Sequence, residues 1–157
     1  MAGPLGNNPV TGQPYNSLAT NQGNEAIQGV IGMGISAAGG TKCRLTDITD
    51  GTSCTLMIGE MSWDDANYYR VWTRGTYDDG QDRDTTCCRN VANALSSTPY
   101  NGSNNANNTS FGSEHVERGA TFGMADASAR YVNPSIPMGL YLSLASRNGN
   151  EPINDDF

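Results

Sequence analysis

No apolar stretch of this chain is long enough, or unbroken enough, to build a long helix. The longest uncharged one, residues 26–38 (AIQGVIGMGISAA), is interrupted by Gly29, Gly32 and Gly34. A bilayer span needs about 20 consecutive apolar residues, so this sequence contains no transmembrane helix. Glycine and proline make up 26 of the 157 residues, and hydrophobic residues only 36%. That balance favours turns and irregular structure over a helical bundle. The length fits one domain, residues 1–157, with a single modest core.

Charge narrows the partners. Sixteen acidic residues oppose nine basic ones, for a formal charge of −7, and Lys42 is the only lysine. Nucleic acid binding needs clustered positive charge, so no nucleic-acid partner is expected. The N-terminus MAGPLGNNP has no basic region followed by an apolar one, so no secretion signal is read there. The glycines at 29, 32 and 34 are in the order G-x-x-G-x-G, not the dinucleotide fingerprint G-x-G-x-x-G.

Four cysteines, Cys43, Cys54, Cys87 and Cys88, include no C-x-x-C pair, which argues against zinc. An even count in a chain of this composition suits an oxidising compartment. Cys87 and Cys88 are adjacent and could pair only through a strained ring. Two bridges between the 43/54 segment and the 87/88 segment are therefore expected, in either pairing, with four buried free thiols as the alternative reading.

Residues 1–41 read as extended Gly/Asn/Pro-rich loops with one short buried piece near 30–35. Residues 54–61 (CTLMIGEM) read as a buried strand and 68–77 (YYRVWTRGTY) as a second. Residues 96–110 read as an exposed polar loop, with sequons at Asn101, Asn107 and Asn108. The runs GATFGMA (119–125) and SARYV (128–132) flank Asp126-Ala127 as a tight hairpin. Residues 138–147 (MGLYLSLASR) form the best helix, with Asn148-Gly149 as its stop.

Catalytic chemistry is hard to find. His115 is the only histidine, no G-x-S-x-G elbow occurs, and a triad with Ser113 would rest on assertion. The chain is read as non-enzymatic, with no cofactor required. A hydrolase survives as a reading only because carboxylates are numerous. The run DDGQDRD, with Asp78, Asp79, Asp82 and Asp84, is the candidate for Ca²⁺, since hard cations take closely spaced oxygens. A solvated acidic loop is its plainer reading. Trp63, Tyr68, Tyr69, Trp72 and Tyr77 form an aromatic-dense patch beside it. Aromatic faces next to carboxylates suit a polysaccharide or cation, and a buried aromatic core is the plainer reading here too.

Three segments in order carry a family resemblance. ITDGTSCTLMIGE (48–60) resembles an I-T-D-G-T-S-N-T-(hydrophobic)-G-E segment, with Cys54 in the place of Asn. FGSEHVERGATFGMADASARYV (111–132) resembles F-G-S-x-H followed by Asp-Gly-Ser-hydrophobic-Arg. LASRNGNE (144–151) resembles L-x-T-R-x-G-G-E. Together they resemble the bacterial prepilin-type, processing-associated His-x-Asp-Gly proteins of type II secretion or type IV pilus character, over residues 43–157. Here ten residues, rather than nine, separate His115 from Asp126. Ala127 replaces a Gly, and Asn150 replaces the second Gly of the closing motif.

The resemblance implies a β-rich α+β fold: a small antiparallel pilin-type sheet, long Gly/Asn-rich loops and a short C-terminal helix. It implies an extracellular or cell-surface head that packs with other pilin-like subunits in a filament or pseudopilus. Members of that family carry a leader and a long apolar helix ahead of the head, so this chain reads either as the head with Met1-Ala2 as an added start or as a natural variant without the helix. The motif residues Asp50, Gly51, Glu60, His115, Asp126, Arg130, Arg147, Gly149 and Glu151 are expected to be structural. Asp50 and Asp126 should accept turn amides, Arg130 should pair with Glu60 or Asp50, and His115 should cross-link loops. The alternative function is an extracellular solute- or glycan-binding module assisted by Ca²⁺. With Ala127 in place of Gly, the hairpin turn should take a shape other than type I′.

Overall fold

The computed structural model describes residues 3–20, 23–31, 43–61, 77–78, 83–84, 89–99 and 108–153. Its centre is a three-stranded antiparallel sheet in the order β4-β8-β9, from Leu56–Gly59, Ala120–Met124 and Ala129–Val132. One helix, α1 (Met138–Ala145), packs near it. Three two-stranded ladders complete the α+β architecture. β1 (Gly3–Pro4) pairs in parallel with β7 (Asn90–Val91). β2 (Ser17–Thr20) pairs antiparallel with β3 (Gly23–Ala26), and β5 (Tyr77–Asp78) antiparallel with β6 (Arg83–Asp84).

The core follows from strand alternation. Ala120, Phe122 and Met124 on β8 point inward, and Thr121 faces solvent, the period-2 pattern of a sheet with one buried face. Phe122 is fully buried between Phe111, at a ring-centroid distance of 5.5 Å, and Tyr141 of α1, at 6.0 Å near edge-to-face. Leu56, Leu144 and Val132 close the cluster. β4 carries an irregularity. Leu56 pairs with Met124 and Ile58 with Gly123, so Met57 is an extra residue in the ladder, the signature of a bulge. The bulge re-phases the strand so that Gly59 lies opposite Phe122. A Cβ at Gly59 would collide with the rings of both Phe122 and Phe111, which explains the glycine of the I-G-E segment.

The hairpin forms as expected, and its turn is not type I′. Ala127 N–H bonds the Met124 carbonyl at 3.1 Å, and Met124 N–H bonds the Ser128 carbonyl at 2.8 Å. This is a three-residue loop whose last residue is left-handed. That residue is Ala127, at φ 69°. The turn nevertheless keeps a glycine-like shape at its last residue, and alanine bears the strain.

Other sequence expectations shift. The strand expected over 54–61 is shorter, because residues 52–54 form a single 3₁₀ turn held by Cys54 N–H on the Gly51 carbonyl at 3.1 Å. The helix stops at Ala145 rather than 147, because Ser146 turns extended at ψ 143°. The N-terminal segment is not simply looped: Asn8, Tyr15, Glu25 and Ala26 are buried, and of the piece expected near 30–35 only Val30, half-buried, and Ile31, exposed, fall on described residues. Of the strand expected over 68–77, only Tyr77 falls on described residues. Asp78 and Asp84 stand in strands, opposite Arg83 and Tyr77, where a loop was expected. The stretch 96–110 is not wholly exposed either: Thr109 is buried, and Ser110 N–H bonds the Thr98 carbonyl at 2.9 Å.

A left-handed alanine costs about 1 kcal/mol, and glycine relieves it with some loss of unfolded-chain entropy. Ala127→Gly should therefore raise stability by about 0.5–1 kcal/mol, seen as a higher urea midpoint at unchanged slope.

Candidate functional site

The chain leaving α1 runs through Arg147, Asn148, Gly149, Asn150 and Glu151, and polar contacts converge on it from residues 8–29 and 49–50. Arg147 N–H donates to the Gln28 carbonyl at 2.9 Å. Its guanidinium donates to the carbonyls of Ile27, at 2.9 Å, and Gly29. Its own carbonyl accepts Thr49 N–H at 2.8 Å and Asp50 N–H at 3.2 Å. One residue therefore ties the N-terminal arm to the I-T-D-G segment.

Asp50 returns the contact. Its carboxylate accepts Gly149 N–H at 2.7 Å and Asn150 N–H at 2.9 Å. Asn150 takes φ 58° to present that amide, in the position where the resembling family carries glycine. Gly51 follows at φ 96°, and its carbonyl also accepts the Thr55 hydroxyl at 2.9 Å. Hydrogen bonds to a charged group contribute about 1.5–3 kcal/mol each, and a buried amide left unmade costs about 1–3 kcal/mol.

Glu151 is buried, at 6% exposure. Its Oε1 accepts Asn8 Nδ2–H at 2.8 Å and the Tyr15 hydroxyl. Asn8 also donates to the Gly149 carbonyl at 3.1 Å, while its Oδ1 accepts the amides of Val10 and Thr11. Burial, and next the hydrogen bond and charge of Glu151, push the Tyr15 hydroxyl far above its ordinary pKa. Tyr15 thus stays a neutral donor. The Glu151 carboxylate folds over Gly149 so closely that no Cβ would fit there.

A second polar group lies at the sheet edge. His115 Nε2 lies 3.1 Å from Glu60 Oε1, and Glu60 Oε2 accepts Thr121 N–H at 2.9 Å. The His115 side chain is 67% exposed, so an ion pair here is worth about 0–1 kcal/mol. The Ser113 hydroxyl donates to the Gly119 carbonyl at 2.6 Å, whereas His115 is engaged with Glu60. Asp126 caps the hairpin turn, accepting Ser128 N–H at 2.9 Å and the Ser128 hydroxyl at 2.6 Å. Arg130 stands on β9 opposite Phe122, and its charge acts on Asp126.

The remaining sequence candidates are not brought to this hub. Trp63, Tyr68, Tyr69, Trp72, Asp79, Asp82, Cys87 and Cys88 lie outside the described residues, and Tyr77, Asp78 and Asp84 are described by backbone alone. Cys43 carries a free thiol, and the partners expected for it, Cys87 and Cys88, lie outside the described residues. The Cys43 Sγ–H donates to the Arg44 carbonyl at 3.5 Å. Burial pushes the thiol pKa up against the opposing charge of Arg147. Cys54 Sγ lies 3.7 Å from Ser53 Oγ. Among the described residues, no group of three or more His, Cys, Asp or Glu side chains could hold a metal ion. No helix among them is long and apolar enough to cross a membrane.

Sequence reasoning missed Asn8, Tyr15, Gln28 and Asn90. Asn90 is 1% exposed; it accepts Ala26 N–H at 2.9 Å and donates to the Asn24 carbonyl at 2.8 Å and to Asn108 Oδ1 at 2.7 Å. In a chain rich in asparagine, nothing marks these residues out. Asn108, read as a sequon on an exposed loop, is half-buried and spends its side chain on Asn90.

A family model described as "Protein of unknown function (DUF1559)" matches residues 3–139. The chain belongs to that family, which is known from bacterial pilin-like and prepilin-related proteins. The match takes in the N-terminal arm and ends before the closing motif. No curated protein and no solved structure matches the chain.

The Asp126 carboxyl is held below its ordinary range, first by the Ser128 hydroxyl and next by the Ser128 amide. An acid lowered on folding contributes stability above its unfolded pKa of about 3.9, which is lost as pH falls through the folded value. Ser128→Ala should move the Asp126 titration, followed by carboxyl NMR, up toward that unfolded value. An unchanged titration would assign the effect to the backbone.

Proposed function

We propose that this domain is the non-catalytic head of a prepilin-type protein of the His-x-Asp-Gly kind, displayed outside the cell as a structural subunit of a surface filament or secretion pseudopilus. The observation that carries the reading is how the motif residues are used. Asp50, Arg147 and Glu151 are spent on backbone amides, backbone carbonyls and neutral side chains of the same chain. Glu60, His115 and Asp126 are likewise engaged in fixing a loop and a turn. Such a set serves a head that must keep its shape while its surface meets other subunits. Membership of a family known from pilin-like proteins supports the same reading. Its partners are then other pilin-like subunits, and it needs no cofactor.

The test uses the native polypeptide with whatever precedes this segment in the cell. The expected result is that it enters a sedimentable filament or a secretion complex, cross-linked to further copies or to related subunits. A protein that stays monomeric in both membrane and extracellular fractions would overturn the proposal. In that case, thermal stabilisation by Ca²⁺ or by a polysaccharide would move the assignment to a binding module, since a ligand at 100 times its Kd adds about 2.7 kcal/mol.

A further inference from the structure

The hub contains an Asn-Gly step, Asn148-Gly149. Glycine, with no side chain, leaves its own amide nitrogen unshielded, so this is the step at which an asparagine side chain most readily cyclises. Two contacts on either side of the reacting atoms favour that chemistry. Gly149 N–H, the proton that must leave, points at Asp50 Oδ2 at 2.7 Å, placing a carboxylate to accept it. Asn148 Oδ1, where negative charge develops on attack, accepts a hydrogen bond from Gln28 Nε2 at 3.2 Å, the contact an oxyanion donor makes. Asn148 is exposed, so water has access to the product.

We propose that Asn148 is a self-modification site, where the fold promotes closure of a succinimide and its hydrolysis to aspartate or isoaspartate. Asp50 takes the amide proton as Gly149 N bonds to Asn148 Cγ. The Cγ–Nδ2 bond breaks, and Nδ2 leaves as ammonia with the proton carried by Asp50. Water then opens the ring at either carbonyl. One water enters, one ammonia leaves, and no electrons are exchanged. Opening toward isoaspartate inserts a methylene into the backbone between Arg147 and Gly149. It also sets a new carboxylate beside Asp50. Both changes weaken the grip of the hub on residues 27–29 and 49–50, so the modification loosens the N-terminal arm as the protein ages.

The experiment incubates the folded protein at neutral pH and follows conversion at Asn148 by peptide mapping, beside the same chain held unfolded in urea. Asn101-Gly102, the other Asn-Gly step of the chain, reports on the solution conditions. Conversion at Asn148 should be about tenfold or more faster in the folded chain, and slower in folded Asp50→Asn and Gln28→Ala. A folded rate at or below the unfolded one overturns the proposal. So does an unchanged rate in both variants. If Asp50→Asn does not fold, Gln28→Ala decides, because it leaves the Asp50 carboxylate and both its amides in place.

Discussion

The hydrogen bonds between Asp50, Arg147 and the amides around them are the constraint on which the rest of the structure depends. They join segments more than 90 residues apart in sequence. In a chain with 36% hydrophobic residues, the described residues bury one small apolar cluster. The long loops of the chain carry many backbone groups that must find partners once removed from water. Charged side chains that each serve two amides or two carbonyls are an economical answer. Asp50 takes two amides, and Arg147 gives to two carbonyls while offering its own backbone to three further groups.

The hub and the core are one mechanical unit because α1 belongs to both. Tyr141 and Leu144 pack into the core with Phe122 and Leu56, and the chain reaches Arg147 two residues after the helix ends. The I-T-D-G segment likewise leads through a 3₁₀ turn into β4. Ala125 N–H bonds the Thr55 carbonyl and Asp126 N–H bonds the Thr52 carbonyl, so the hairpin tip is fastened to the same segment. Asn8, Tyr15 and Glu151 close the circuit from the N-terminal side.

Elements that carried an apolar period were legible in the sequence. The hairpin, β4 and α1 all form where expected, but burial departs from the reading: β4 buries only Leu56 and leaves Ile58 58% exposed, and α1 buries five consecutive residues, Tyr141–Ala145. Cys54 was read into the strand because the 3₁₀ turn before it leaves no hydrophobic trace. The N-terminal strands were missed because Ser17, Gly23, Asn24 and Glu25 lack the composition of a strand. Their pairing is supported from outside by Asn90, a contact no local pattern encodes. The motif residues were readable as structural from the resemblance, but their partners were not. Arg147 meets carbonyls of residues 27 and 29, and backbone acceptors have no sequence signature.

The claim that the closing motif is fastened as firmly as the core is tested most directly by native-state hydrogen exchange of the amides of Thr49, Arg147, Gly149 and Asn150. If the hub carries the fold, these amides exchange only with global unfolding, at the same opening free energy as those of Phe122 and Leu144. Exchange of the hub amides through local opening, while the core amides stay protected, would contradict it.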